Sequence, residues 1–548
     1  MPSDSEKAKT KRIYISVLAL TLMNVTIIAG IGNDVQQAFY GLTSVTYFAI
    51  GAIAFFIPTA LVAAELASGW SNRGGIFRWV GEGLGKGWAI TCLLILWFQT
   101  MINFGMGMPS YAATILFYTP MYKKAVQFAQ HPQHEVLIMT GFIILYWVLT
   151  FIATKGVKAF ARVAKYGVLI GTFIPLALMI ILTIVWLCQG HQPAIPMTPK
   201  GLIPKWNGMG TLALAAGVFF SYTGIDMNAA HIKQLKHPEK DFTKAIFISI
   251  ILVFLIFVVG TVIIAMVVPE KQINVIYTLN TVFRTLGATI GIPWLYMVLV
   301  WAGLCNVLAS VITNMAGPSF MLGQAGGSGF LPDWFQKKNK HEMPSHLMYT
   351  QIAGMTIIAY LVKLLPNVEG FVIMLTQTIT VLYMFYYVLM FITFLKLRYD
   401  QPNRPRAFKV PGGKFGAWLV AGLGLISCVF GIVLAIYPPA QVKAEVGSPI
   451  TYVVVILVLV AVILGICFIM YQLSKHHNWV DPTNKFAPFT WEIEGLKKPG
   501  KVESNVPTEL MSKGQNPMGM PIKRPYKPNE MVSKKIVEED LKHPDLES

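Results

Sequence analysis

Two short stretches combine residue types that an apolar helix does not ordinarily tolerate. Ala29-Gly30-Ile31-Gly32-Asn33-Asp34 and Ser221-Tyr222-Thr223-Gly224-Ile225-Asp226 each set glycine, polar groups and an acid midway through a hydrophobic run. Inside a helix glycine costs about 1 kcal/mol relative to alanine, and a carboxylate at bilayer depth costs about 2.5–3.5 kcal/mol on insertion scales. Backbone that leaves the helix at that depth survives only where it is buried in protein or lines a wet cavity. An unwound turn frees N–H groups that bind an anion, helped by the positive end of a half-helix. It also frees carbonyls that accept from an ammonium. The two stretches together suit a zwitterion, with its carboxylate on the amides of the first and its amino group on carbonyls around Tyr222–Ile225. The candidate substrate contacts are Ala29, Gly30, Ile31, Gly32, Ser221, Tyr222, Thr223, Gly224 and Asp226. A packing glycine with a snorkelling acid explains either stretch alone equally well. It is the pairing that favours a site.

The elements that must carry these stretches follow from composition. The chain has 548 residues, 55% of them hydrophobic and only 13% charged, with mean hydropathy +0.57. A soluble chain carries about a quarter charged residues, so a membrane-embedded body is expected. A span needs roughly 20 mostly apolar residues. Twelve such runs are read: 13–38, 43–68, 88–118, 134–154, 159–188, 209–233, 245–268, 291–322, 346–364, 369–395, 415–437 and 449–473. This predicts a polar N-tail (1–12), a transmembrane domain (13–473) and a polar, flexible C-tail (474–548). The breaks fall in spans 1 and 6, the first members of two five-span units (about 13–188 and 209–395), with two further helices at 415–473. An odd-numbered unit starts its second copy from the opposite side, which makes an inverted repeat, and interrupted segments at matching positions point to a transporter's midplane site. The expected fold is therefore an all-α polytopic membrane protein of 12 helices.

Lys and Arg accumulate on the cytoplasmic side of a membrane protein. Of the 44, 24 lie in the N-tail and alternate loops, 8 in the other loops and 12 in the C-tail, which predicts that both termini are cytoplasmic. The net charge of +18 is accounted for by this sidedness, so nucleic acid is not an expected partner. Five cysteines lie in or beside apolar segments with no C-x-x-C pair, so neither a disulfide framework nor a zinc site is read. No cofactor or metal is expected. No H-E-x-x-H, G-x-S-x-G elbow or close acid pair argues for an enzyme. The first apolar run lacks the form of a cleaved signal peptide and is read as a retained span.

With these features in place, the chain resembles the amino acid–polyamine–organocation transporter superfamily and, more narrowly, the bacterial glutamate/γ-aminobutyrate antiporter subgroup. The residues that carry the likeness include Phe56-Ile57-Pro58, Ala63-Ala64-Glu65-Leu66-Ala67, Gly74-Gly75-Ile76-Phe77-Arg78-Trp79-Val80, Arg162-Val163-Ala164-Lys165 and Ser221–Asp226. To these are added His237-Pro238-Glu239-Lys240-Asp241, Gly317-Pro318-Ser319, Leu331-Pro332 and Lys409-Val410-Pro411-Gly412-Gly413-Lys414. The resemblance implies alternating access and substrate held by the breaks in spans 1 and 6. Gly30 and Gly32 resemble the family's glycines there, while Ile31 replaces a residue that is usually small. Asp34 and Asp226 stand where the subgroup shows glutamate. Lys165 resembles the span 5 lysine whose ammonium fills a sodium site, which implies sodium independence and a role in stabilising the span 1 break. Tyr383 and Tyr387, one helical turn apart, match subgroup tyrosines. Asn306 and Phe320 depart from an acid and an arginine. In the glutamate antiporter a C-terminal segment plugs the inward path.

The function so implied is a sodium-independent secondary amino acid antiporter in a bacterial inner membrane, with Asp34, Lys165, Tyr383 and Tyr387 as coupling or gating groups. Its alternatives are proton-coupled uptake of neutral amino acids or polyamines, and a non-transporting sensor. Each residue also has a structural role available. Asp226 can be a paired strut, Lys165 an ordinary positive-inside residue, and Tyr383 and Tyr387 core aromatics. Glu65 reads as a helix-end residue. Gln99 and Asn103, on one face of span 3, suit interhelical bonding as well as a pocket. His231, five residues after Asp226, reads as a satisfied or pH-responsive histidine.

Overall fold

The computed structural model describes residues 15–29, 31–70, 75–118, 132–204, 212–228, 235, 237–273, 278–292, 294–326, 329–363, 368–404, 406, 408–438, 448–477, 479, 488–493, 495–501, 504–505 and 532–533. These residues are almost entirely helical. Apart from turns and connecting loops, the described residues include a two-residue antiparallel pairing of Ser504–Asn505 with Val532–Ser533 and an isolated bridge between Ile15 and Leu235.

Long apolar runs become long helices because a bilayer leaves the backbone no other way to satisfy itself locally. In chain order they are α1 (Val17–Ile28), α2 (Thr43–Gly69), α3 (Ile76–Gly83), α4 (Lys86–Tyr118), α5 (Pro132–Ala153) and α6 (157–188). There follow α7 (Ala216–Ser221), α8 (Pro238–Val267), α9 (Thr278–Thr289), α10 (Leu295–Ala325) and α11 (Ser345–Lys363). The last are α12 (Val368–Asp400), α13 (Gly413–Ile436) and α14 (Pro449–His476). Among the described residues nine helices are long and apolar enough to cross a membrane: α2, α4, α5, α6, α8, α10, α12, α13 and α14. The other three expected spans coincide with the short α1, the short α7 and the less apolar α11, which fall outside that criterion. α4 and α12 are the most enclosed and pack on each other, whereas α14 lies at the periphery.

Two spans contain a π-helical turn, Ala52–Phe56 in α2 and Leu169–Phe173 in α6, each followed by Ile-Pro. Pro58 and Pro175 have no N–H, so the carbonyl four residues earlier loses its helical donor. In α2 that carbonyl is Ala54, and the Ser427 hydroxyl of α13 takes its place at 2.9 Å. In α6 the turn presses against α10. A Cβ on Gly167 would meet that of Ala309 at 2.1 Å, and one on Gly171 would meet the Ala302 carbonyl oxygen at 2.4 Å. Gly167 and Gly171 form a small-xxx-small face that lets two backbones approach.

A buried polar chain joins three further spans. The Trp97 indole donates to Ser319 (3.2 Å), Ser319 donates to Gln351 (2.8 Å), and Gln351 donates to Thr100 (2.7 Å). Buried polar groups that satisfy one another fix a single register between helices, and here the register is that of α4, α10 and α11.

Candidate functional site

Both suspect stretches leave the helix. α1 stops at Ile28, Ala29 turns extended (φ −109°, ψ 125°), and Ile31–Tyr40 continues as a 3-10 segment. Gly30 lies outside the described residues, as do the side chains of Ile31, Asn33 and Asp34; Gly32 is described only as backbone in that segment. α7 stops at Ser221, residues 222–226 form turns, and Gly224 adopts φ +100°, a conformation open to glycine at no steric cost. A Cβ at Gly224 would lie 2.8 Å from Ile27 Cγ2 and 3.9 Å from Ile28 Cγ1. The two interruptions therefore touch.

The side chains of the second break divide into three groups. Ser221 and Thr223 donate back to helix carbonyls, Gly217 at 2.8 Å and Phe220 at 2.7 Å. Tyr222 is fully buried, stacks on Phe56 (4.6 Å, 13°) and donates to the Phe48 carbonyl at 3.0 Å. Its ring belongs to the packing of the break against α2. Asp226 is different. It is 3% exposed, and its carboxylate accepts from Tyr386 on one oxygen and from Tyr387 (2.7 Å) on the other. Tyr387 in turn accepts from the Gly224 N–H at 2.8 Å. Tyr383 stacks on Tyr387 (5.9 Å, 14°), accepts from Gln99 Nε2 at 2.9 Å and bonds to Thr223. Gln99 Oε1 is buried without a hydrogen-bond partner among the described residues.

Tyr386 escaped the sequence reading although it carries one of the two bonds to Asp226. The signal was present, since tyrosines at positions i, i+3 and i+4 share one helix face. A second buried relay was also missed. Asn228 donates to Asn24 (2.8 Å) and Asn24 to Ser249 (3.1 Å), tying α1 to α8 through the segment after the break. A lone Asn inside the apolar α1 was its only trace. His231 lies outside the described residues. Asn306 is buried beside Gly171 with Oδ1 unpartnered.

Lys165 is exposed, and its ammonium stands 5.6 Å over the Tyr166 ring. The cause is helix rotation: Gly167, Val168, Gly171 and Thr172 turn inward, and that face excludes residue 165.

The other buried carboxylates lie where the basic loops gather. Glu65 accepts from Arg398 Nε (2.7 Å) and Nη2 (2.5 Å), from Arg406 Nη1 (2.8 Å) and from the Val410 N–H (2.7 Å). Burial draws the Arg406 guanidinium below its ordinary range, and Glu65 opposes that. Glu82 pairs with Arg78 at 2.7 Å and accepts from Gln401 (3.1 Å). It also accepts from the Thr490 N–H (3.0 and 3.1 Å) and the Thr490 hydroxyl (2.9 Å). Thr490 belongs to the C-tail expected to be flexible. Residues 488–491 instead pack on α3, with Phe489 and Trp491 buried, Pro488 accepting from Arg78 (3.0 Å) and the Trp491 indole donating to Gly81 (2.9 Å).

An apolar cavity of about 290 Å³ lies among Tyr47, Ile50, Val218, Phe219, Phe430 and Leu434. Its lining residues carry no charge.

Broken helices that meet inside a set of membrane spans, with an acid held at the break, define a multi-pass integral membrane carrier of small solutes. Residues 15–470 match the amino acid permease family, and the chain belongs to it, within the amino acid–polyamine–organocation superfamily. A glutamate/γ-aminobutyrate antiporter of Lactococcus lactis is 28% identical over 458 residues, covering 81% of this chain and 87% of that relative. An uncharacterized transporter of Legionella pneumophila is 28% identical over 432 residues, covering 79% and 91%. A probable agmatine/putrescine antiporter of L. lactis is 23% identical over 439 residues, covering 79% and 88%. These relatives are transporters, and the chain is a transporter and not an enzyme.

Proposed function

We propose that the protein is a secondary amino acid antiporter, exchanging small amino acids of the glutamate/γ-aminobutyrate kind by alternating access. The scheme takes 12 spans in a five-plus-five inverted repeat with two added helices, both termini cytoplasmic, in a bacterial inner membrane. The observation that carries this reading is the contact between the two breaks, Gly224 against Ile27, beside a buried carboxylate whose side-chain hydrogen-bond partners among the described residues are phenols. Backbone freed at both breaks suits the two ends of a zwitterion. Exchange is expected to need no sodium, although the exposed position of Lys165 lends this no support.

A polyamine or other cation is the second reading, favoured by an acid at the break that has no cationic partner among the described residues. Purified protein in liposomes separates the readings. Counterflow of labelled glutamate or γ-aminobutyrate that depends on internal amino acid and persists in sodium-free buffer supports exchange. Counterflow only with agmatine or putrescine supports the cation reading. Uptake into empty vesicles driven by a pH gradient alone supports proton symport, and binding without flux supports a sensor.

A further inference from the structure

We propose that the Asp226 carboxylate is neutralised alternately by a proton and by the amino group of the solute, so that loading one ammonium releases one proton. The proposal rests on the exchange reading and names how that same site is coupled.

The argument starts from charge. Among the described residues, three carboxylates are buried in the helical body, and two of them, Glu65 and Glu82, have guanidinium partners. Asp226 has none: no Lys, Arg or His nitrogen lies within ion-pair distance of it among the described residues. The titratable groups facing it are Tyr383, Tyr386 and Tyr387 of α12 and Cys92 of α4, with Cys467 of α14 behind Cys92. Phenols and thiols are cations in no protonation state. A buried carboxylate without a cation takes up a proton or waits for a charged ligand.

The hydrogen bonds show how both states fit. Tyr387 accepts from Gly224 and donates to Oδ1, so its hydroxyl is held in one sense. Tyr386 donates to Oδ2 and accepts from no backbone N–H among the described residues, and a hydroxyl rotates to suit its partner. When Asp226 carries the proton, the Oδ2–H bond points at the Tyr386 oxygen, which turns to accept. When the solute ammonium arrives, that O–H bond breaks and its proton leaves to water. The ammonium keeps all its hydrogens and donates to the carboxylate. No electrons change owner, and one proton leaves per ammonium bound.

The test is a binding titration of purified protein in weakly buffered solution with a pH indicator. Its probes are γ-aminobutyrate, L-glutamate, agmatine and butyrate, the last lacking an amine. The expected result is about one proton released per amine bound and none with butyrate. Apparent affinity for the amines then weakens up to tenfold per pH unit toward acid. Asp226→Asn abolishes the release and flattens the pH dependence, with Asp226→Glu restoring both. Tyr386→Phe, which removes the turning acceptor, displaces the pH midpoint, and it serves where the Asn variant fails to fold. Binding of amines by the wild type with no proton release, or equal release from Asp226→Asn, overturns the proposal while leaving exchange intact. Absence of both binding and counterflow for every probe overturns exchange itself, and the proposal with it.

Discussion

Glu65 and Glu82 are buried among arginines where the basic loops gather, whereas Asp226 is buried among phenols where two helices come undone. All three are acids removed from water. The difference lies in what neutralises them. A carboxylate clamped by Arg398, Arg406 and a backbone N–H has its charge and most of its lone pairs spoken for, and it holds α2 to the end of α12. A carboxylate whose side-chain donors are two phenols meets no cation among the described residues and retains room to accept. The first arrangement fixes structure. The second is open to a mobile cation, which a transporter needs and a strut does not.

The comparison breaks most visibly at Glu65. Removing one partner from a buried ion pair leaves the others charged and unpaired, at a cost of about 3–5 kcal/mol. Glu65→Ala is expected to lower the amount of folded protein severely, read as loss of the monodisperse peak in size-exclusion chromatography and a fall in melting temperature. Whatever protein survives should still exchange. Survival at wild-type melting temperature would show that the clamp contributes nothing.

Asp226→Asn is expected to do the reverse. No cationic partner is orphaned among the described residues, and an amide retains an acceptor for one tyrosine, so the melting temperature should move little. Exchange should fall at least about 100-fold, equivalent to roughly 2.7 kcal/mol in the transport barrier. Counterflow normalised to folded protein checks this. A variant that melts early and yet transports at the wild-type rate would reverse the roles assigned to the two kinds of acid.

What the sequence made legible follows the range of each interaction. The nine long spans were readable because hydropathy is local: 43–68 was expected against Thr43–Gly69 and 415–437 against Gly413–Ile436, whereas 245–268 missed the polar first turns of Pro238–Val267. The interruptions were readable because glycine and acid inside an apolar run carry a cost that must be recovered elsewhere. Helix rotation was not readable. That is why the exposed side of Lys165 was not foreseen and Tyr386, turned onto Asp226, was passed over. The dock of Thr490 on Glu82 spans 408 positions of sequence, and nothing local to either residue announces it.

That dock sharpens the comparison from the paired side. Glu82 accepts from Arg78, Gln401 and Thr490, so the tail supplies part of what keeps the carboxylate satisfied. Thr490→Val deletes the hydroxyl donor and keeps the backbone one. A hydrogen bond to a charged group contributes about 1.5–3 kcal/mol, so docking should weaken by roughly tenfold or more. Limited proteolysis between Ser474 and Pro499 should then proceed faster. Truncation after Ser474 adds a functional readout: a shifted pH–activity curve supports a tail that obstructs the inward path, and an unchanged curve assigns residues 488–491 to structure alone.

Lys165 provides the smallest expected effect and the control for the others. Its ammonium is exposed over the Tyr166 ring, a contact that contributes about 0.5–1 kcal/mol at an exposed site. If the cation acts only there, Lys165→Ala changes the melting temperature by a degree or two and leaves exchange and its indifference to sodium as they were. The superfamily resemblance gives the opposite expectation, because an ammonium that substitutes for sodium at the span 1 break would be missed on removal. Counterflow by Lys165→Ala in sodium-free and sodium-containing buffer separates the two. Restoration of lost activity by sodium would mean that the side chain swings to the break during the cycle. An unaltered rate in both buffers would leave Asp226 as the charge on which coupling turns, with no compensating lysine.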